Sequence, residues 1–434
     1  MNWFGSLWRA IWIGVVVNAC LAAYLIGRIG TLFIWDRTRR ASAVARLRGR
    51  LLRFGMAHLG ATFIKLGQVL STRPDILAPE TIDELRLLQD KLPPTLFARL
   101  RPQLEAELGG PLADHFREFD EIPVAAASVA QVHRAVTHDG DEVAVKILRP
   151  DVRARVERDG RILRFQARIL NLIPAIRSTD PIGHLEHFLA GILEQTDLRL
   201  EADNYEVFRR NFEGNAQVRF PRVYRGLSEQ RVLTMEFLRG RKVDALGPGD
   251  HSAPAFALRD LFLKMCFEDG FLHADLHPGN LLIDDSQRIV IFDVGLVVRL
   301  NDRHLAQVVD LGKCLSFGQT DDFVSHLRNF HTYVGDIDWP ALTRDAEAFA
   351  SRFRGRTTAE LEWGVVIGDM FAIGRRYGLK PVPEMALLLV GLVTAEGIGK
   401  MLNPNANSFQ DLGLYLMPLL ARKGLLPTLP MQST

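Results

Sequence analysis

His273-Ala274-Asp275-Leu276-His277-Pro278-Gly279-Asn280 is followed at once by Leu281-Leu282-Ile283, a short polar turn, Ile289-Val290-Ile291-Phe292, and then Asp293-Val294-Gly295. The stretch reads as loop, strand, turn, second strand, and an Asp-x-Gly at the strand's end. Asp275 and Asn280 stand five residues apart, and Asp293 follows Asn280 by thirteen. Carboxylate and amide oxygens in this number suit a hard cation such as Mg²⁺, because they leave coordination positions for water and phosphate oxygens. Gly295 is expected to let the chain turn behind Asp293. A polar turn carrying Asp and Asn by chance would look alike in isolation, so the rest of the chain has to decide.

Upstream, Val143-Ala144-Val145-Lys146-Ile147-Leu148 reads as a strand, paired through a turn at His138-Asp139-Gly140-Asp141 with the alternating stretch before it. A lysine on an apolar strand needs a partner if buried; the plain alternative is an edge lysine reaching water. Lysine is scarce, nine against 44 arginines, which makes Lys146 the more informative. Protein kinases place a lysine in this strand context against the α- and β-phosphates and pair it with a helix glutamate. They also keep the five-residue Asp–Asn spacing and a metal-binding Asp after a hairpin. Between the small residues and the first strand, Ala125-Ala126-Ala127-Ser128 could cover a phosphate with backbone N–H groups. With Cβ atoms it would be stiffer than a glycine-rich loop, and tight packing explains it equally well. His277 stands two residues after Asp275, where protein kinases often carry Lys.

A helix is expected from about His187 to Phe212. Glu194, Asp197 and Glu201 form one acidic stripe on it. Such a stripe is either solvated or faces cations, for which Lys146, Lys65 and a metal ion are the candidates. Leu52, Met56, Leu59, Phe63, Leu66 and Leu70 predict one amphipathic helix over five turns. Lys65 and Gln68 lie opposite that stripe, and by pattern alone they would face water. A second helix should open at Pro79.

The apolar run from Ala10 to Gly27, continued by Ile29 to Trp35, has three tryptophans near one end (Trp3, Trp8, Trp12) and seven arginines between residues 37 and 53 after it. It reads as a membrane span with the remainder cytoplasmic, as a helix lying in the interface, or as a buried helix. No small-x-small cleavage site follows it. Overall, 47% apolar and 24% charged residues are globular proportions and exclude wholesale disorder. With 53 basic and 51 acidic residues, nothing suggests a general nucleic-acid binder. Cys20, Cys266 and Cys314 are too far apart for a CxxC-type site.

Taken together, these residues resemble the UbiB family of atypical protein-kinase-like enzymes over most of residues 50–405. The family's Lys-x-Gly-Gln signature stands as Lys65-Leu66-Gly67-Gln68 and continues to Asp75. Its alanine-rich loop stands as Ala125 to Ser128, its nucleotide lysine as Lys146, and its helix glutamate as Glu201. Its His-Ala-Asp-x-His-Pro-Gly-Asn loop is His273 to Asn280, and its metal aspartate is Asp293. The resemblance implies an ATP/ADP site in which Lys65 and Gln68 point inward. Asn280 and Asp293 would hold Mg²⁺, and Asp275 would orient an acceptor hydroxyl or water. It further implies a membrane-linked ATPase or a lipid or small-molecule kinase supporting ubiquinone biosynthesis, with protein substrates disfavoured. Membrane lipids, quinone precursors and quinone-biosynthesis enzymes are the partners it implies; the oligomeric state stays open, a homodimer included. The implied place is the inner membrane, with the catalytic part in the cytoplasm. The family's Glu-x-Asp motif departs here to Gln195-Thr196-Asp197, and Glu194 is the nearest substitute.

The expected fold is α+β, a protein-kinase-like pair of lobes. A hydrophobic segment covers residues 1–35, a helical extension 36–115, a β-containing N-lobe 116–235 and a helical C-lobe 236–434. Glu236 and Leu238, in the hinge Met235-Glu236-Phe237-Leu238, could take the adenine through backbone groups. No Ala-Pro-Glu element or activation loop follows Asp293. Met385 to Val393 is too short to span a membrane, and the chain ends in a proline-rich stretch, Pro427 to Pro430. Two other readings remain: a non-catalytic, nucleotide-gated lipid-binding or assembly protein, and a small-molecule phosphotransferase, which would explain neither Lys65-Gln68 nor the membrane segment.

Overall fold

The computed structural model describes residues 3–71, 77–88, 93–173, 181–247, 249–317, 323–332, 336–352, 363–404 and 412–423. The end of the Lys-x-Gly-Gln extension and the Pro427–Pro430 tail lie outside them. The chain forms two compact units, one of residues 1–207 with 221–237, the other of 208–220 with 238–434.

The first unit opens with α1 (Trp3–Thr31), which turns back on α2 (Arg37–Leu59). Asp36 starts α2 by accepting the Arg39 N–H at 3.0 Å, and Arg40 ties down the connection through the Ile34 carbonyl at 2.8 Å. Ile13 and Val16 of α1 are buried with Met56 and Leu59 of α2, while Trp8, Trp12, Val15, Ile26 and Ile29 are exposed. One side of α1 is therefore core and the other is an apolar surface.

The predicted five-turn helix is broken. Gly60, at φ 88° and ψ −163°, ends α2 and separates it from α3 (Ala61–Ser71). Only glycine occupies that backbone region readily. The apolar stripe itself survives the break, because Met56, Leu59 and Phe63 share one core with Leu66 and Leu70 beside it. Next come α4 (Pro79–Arg86), with proline at its first turn as expected, α5 (Phe97–Leu108) and α6 (Leu112–His115).

The sheet of this unit comprises β1 (Phe116–Phe119), β2 (Ala125–Ala126), β3 (Ala130–Thr137), β4 (Glu142–Leu148) and β6 (Val232–Glu236); the intervening β5 (Val218–Arg219) belongs to the second unit. The order is β1-β3-β4-β6, with β2 also on β3. Register places Lys146 opposite Val132 on one side and Leu233 on the other, so the lysine sits on a central strand and the edge-strand alternative falls. One face of the sheet buries Val143, Val145 and Ile147 against Phe97, Leu100 and Leu104 of α5. After β4 come α7 (Val152–Leu170), α8 (Pro181–Glu194) and α9 (Leu198–Asn211). The single helix expected from His187 is thus two helices, parted at Gln195–Asp197, where the Asp197 carboxylate accepts the Arg199 N–H at 3.2 Å.

The second unit holds β7 (Arg241–Lys242), α10 (Ser252–Lys264) extended by a wide turn over Met265–Asp269, β8 (Phe271–His273), β9 (Leu281–Ile283), β10 (Ile289–Ile291) and β11 (Val297–Arg299). Strands β9 and β10 form the expected hairpin, flanked by β7 and β5; β8 pairs with β11. Then follow α11 (Asp302–Phe317), α12 (Phe323–Phe330), β12 (His331–Thr332), α13 (Trp339–Ser351), α14 (Trp363–Arg376), β13 (Lys380–Pro381), α15 (Pro383–Leu402) and α16 (Leu412–Arg422). Among the described residues, Leu7–Thr31 and Pro383–Leu402 are long and apolar enough to cross a membrane by length and composition. The second exceeds the nine residues read from sequence, because Glu396 does not end it: that side chain is buried and pairs with Lys400 at 2.9 Å.

Candidate functional site

In the first unit the Lys146 ammonium lies 2.8 Å from each carboxylate oxygen of Glu201. Both side chains are largely buried, with 13% and 5% exposure. The pair forms because β4 is central and Glu201 falls in the first turn of α9. A buried charge without a partner is costly; the apolar strand called for an acid without choosing among Glu194, Asp197 and Glu201, and the one Lys146 meets is Glu201, which the family resemblance implied. The acidic stripe does not act as one group. Asp197 is held by Arg199, at 2.9 and 2.6 Å, and those hydrogen bonds keep its carboxyl below the usual range. Glu194 is exposed at the end of α8.

The alanine-rich loop is stiff in a specific way. Ala125 and Ala126 pair with Val132 and Gln131 of β3, the Ala127 N–H bonds the Ala130 carbonyl at 2.8 Å, and Arg149 Nε donates to the Ala127 carbonyl at 2.8 Å. Ser128 is buried. None of these residues has positive φ among the described residues. Lys65 and Gln68 are both half-buried on α3. Lys65 and Ser128 line one cavity. At the unit boundary, Glu236 ends β6, the Phe237 N–H bonds the Glu142 carbonyl at 3.1 Å, and half-buried Leu238 opens the second unit.

In the second unit His273 ties the loop together. Its Nδ1 accepts the Asp275 N–H at 3.1 Å, which leaves the proton on Nε2 to donate to the Asp293 carbonyl at 2.9 Å. Burial keeps this imidazole's pKa low, against the pull of the nearby Asp275 and Asp293 charges. The neutral tautomer thereby fixes the backbones of both aspartates. Asn280 is buried, and its amide nitrogen donates to the Asp275 carbonyl at 3.0 Å. That commitment leaves Oδ1 as its acceptor. Asp275 and Asp293 are half-buried. The His277 Nδ1 caps the next turn by accepting the Gly279 N–H at 3.0 Å.

One expectation about the Asp-x-Gly is corrected. The left-handed residue is Asp293 itself, at φ 69°, and Gly295 is not among the positive-φ glycines. Aspartate tolerates that region better than most residues. Sequence reasoning named Asp275, Asn280 and Asp293 as candidates but gave His273 no role. Its position two residues before Asp275 was the available signal.

Among the described residues no three His, Cys, Asp or Glu side chains gather as a metal-holding cluster. A site of one carboxylate and one amide, completed by water and phosphate oxygens, falls outside that description but within Mg²⁺ chemistry. The oriented Asn280 Oδ1 fits such a cation.

Comparison with known proteins agrees. Residues 87–324 match the ABC1 atypical kinase-like domain, and residues 346–407 match the UbiB helical domain. The probable protein kinase UbiB of Aliivibrio fischeri is 32% identical over 396 residues, 86% of this chain and 71% of its own. The Aeromonas hydrophila protein of the same name is 33% identical over 388 residues, 85% and 70% of the two chains. The chloroplastic activity of bc1 complex kinase 7 of Arabidopsis thaliana is 32% identical over 394 residues, 89% of this chain and 56% of its own. The solved structure of the Rv3197–erythromycin complex from Mycobacterium tuberculosis shares the fold, with TM-score 0.50 and 19% identity over 77% of this chain and 87% of its own. With its kinase-like β-containing and helical units, and the Lys146–Glu201 pair and Asp275-Asn280-Asp293 set they carry, the chain belongs to the UbiB family of atypical kinase-like proteins.

Proposed function

We propose that this protein binds ATP with Mg²⁺ and transfers or hydrolyses its terminal phosphoryl group at a membrane, in support of ubiquinone biosynthesis. The acceptor would be a lipid or small-molecule precursor, or water, rather than a protein. The observation that carries this reading is the buried Lys146–Glu201 pair on a central strand. Kinase-type sites hold the α- and β-phosphates with such a lysine. Asn280 and Asp293 would hold the metal ion, which supplies charge neutralisation at the phosphates. Asp275 would orient the attacking oxygen, with its own position set by His273. Lys65, Gln68 and the Ala125–Ser128 loop would shape the nucleotide's surroundings, and the backbone at Glu236 and Leu238 would take the adenine.

For the membrane, we infer that α1 lies in the interface rather than crossing it, because one of its faces is already packed on α2. The arginines of α2 would meet anionic headgroups on the cytoplasmic side of the inner membrane.

The test is Mg²⁺-dependent ATP turnover on anionic liposomes, wild type beside Asp293→Asn. Asparagine keeps the size of the side chain and tolerates positive φ, so the variant should fold. Turnover is expected in the wild type and should fall at least a hundredfold in the variant. Absent turnover with ADP still bound would replace the enzyme by a nucleotide-gated binding protein.

A further inference from the structure

A cavity of about 220 Å³ opens within the first unit, bounded by the start of α3, the alanine-rich loop, α7 and Arg9 of α1. Its charge is one-sided: Arg9, Lys65, Arg149, Arg155 and Arg158 line it, and Asp159 is the one carboxylate among the lining residues. Asp159 is already spent. Arg9 grips both its oxygens, at 2.8 and 2.9 Å, and also donates to the Leu59 carbonyl at 2.6 Å. Arg149 is committed to the Ala127 and Pro93 carbonyls, at 2.8 and 2.9 Å. Arg155 and Arg158 are different. They stand three apart on α7, on one face, and neither forms a side-chain ion pair among the described residues. Ala61 and Thr62, which open α3, also line the cavity. The first N–H groups of a helix lack carbonyl partners within it, so this end carries partial positive charge.

A solvated arginine face is the plain alternative, but a face draws its charges from one surface element. Here they come from α1, α3, α7 and the end of β4, around a hollow. Asp159 offsets Arg9, so it is the charges left without an ion pair among the described residues, Arg155 and Arg158, that repel one another unless an anion intervenes.

We infer that this cavity binds a phosphoryl anion, either inorganic phosphate or the headgroup of a phosphate-bearing lipid. Guanidinium forks match phosphate oxygens in pairs, and donors from several directions suit a tetrahedral dianion better than a planar carboxylate. The volume lies below the roughly 300 Å³ at which drug-sized pockets begin, so the occupant is headgroup-sized. A lipid source has structural support, since Arg9 shares its helix turn with exposed Trp8 and Trp12. The proposal concerns the first unit alone and needs no turnover.

The test is calorimetric titration of the full chain, in neutral detergent at fixed ionic strength, with inorganic phosphate and then with dihexanoyl phosphatidic acid. Each titration is run with saturating ADP and without it, because Lys65 and Ser128 border both this cavity and the proposed nucleotide site; binding of phosphate seen only without ADP, and unchanged by the double substitution, would assign it to the nucleotide site and overturn the cavity. Wild type is compared with Arg155→Gln/Arg158→Gln. At least one probe should bind saturably to the wild type, and the double substitution should weaken it tenfold or more while leaving ADP affinity unchanged. Arg155→Lys/Arg158→Lys, which keeps the charge without the fork, should fall between and covers the case in which the glutamine variant fails to fold. Phosphatidic acid displacing phosphate identifies the lipid as the source; phosphate binding alone identifies the free ion. No saturable binding of either probe, or wild-type affinity in both double variants, overturns the site.

Discussion

Lys146 and Glu201 share one ion pair in which both partners are largely out of water, so losing one differs from losing both. Glu201→Ala strands a buried ammonium, and stability should drop by about 3–5 kcal/mol. Lys146→Met with Glu201→Leu removes both charges and should recover most of that stability while remaining inactive; denaturant midpoints beside ATP turnover check it. His133 offers a second prediction. It is fully buried in β3, with Nδ1 donating to the Asp120 carbonyl and Nε2 accepting from Gln131, both at 2.8 Å. Burial lowers its pKa, a tendency only partly opposed by the Asp120 hydrogen bond. The unfolded chain therefore takes up a proton that the folded one refuses. His133 contributes its full stability above about pH 6.5, and that contribution is lost as pH falls from there toward the folded value. Thermal midpoints measured from pH 7.5 to 5 should decline, and His133→Gln should flatten the decline. At this scale the sequence was legible where a residue contradicts its own surroundings. Lys146 in an apolar strand demanded an acid, and one was found. Arg9 gave no such sign, because its partner Asp159 lies 150 positions away and neither residue is unusual locally. The left-handed backbone of Asp293 was equally hidden, since an aspartate is compatible with either backbone region and its identity does not choose between them.

Among the elements, the division between α2 and α3 depends on a single backbone conformation. A Cβ at Gly60 would meet nothing within 4 Å, so Gly60→Ala isolates the cost of the backbone from any clash. The expected loss is about 1–3 kcal/mol, read as a lower denaturant midpoint with nucleotide affinity retained. Periodicity predicted which residues of this stretch would be buried but not that the helix would break, because the hydrophobic stripe continues through Gly60. The same limit produced one helix where α8 and α9 are two: an acidic stripe at helical spacing does not reveal a cap at Asp197. For α1, composition alone left span, interface and core open together. Its packing against α2 leaves a strip through Trp8 and Trp12 exposed, and the proposed interfacial role rests on that strip. Trp8→Glu/Trp12→Glu should abolish flotation with anionic vesicles while leaving the thermal midpoint within a few degrees of wild type. Retained flotation would mean that attachment lies elsewhere.

On the scale of the whole molecule, the kinase-like architecture was readable because its chemistry is strung along the chain in a fixed order, from Lys146 through Glu201 to Asp275, Asn280 and Asp293. The division of the chain was less readable. Sequence alone suggested one passage between lobes, near Phe237, whereas residues 208–220 leave the first unit early and return before β6 is laid down. Their strand β5 lies parallel to β10, about seventy residues further on. Translation delivers residues in order, N-terminus first. The first unit thus cannot close its sheet until the ribosome has released β6, and by then a piece of the second unit is already waiting for strands not yet synthesised. During that interval β4 has a bare edge beside Lys146, an invitation to wrong pairing. The nascent chain is accordingly most in need of a chaperone between the release of Leu148 and that of Glu236.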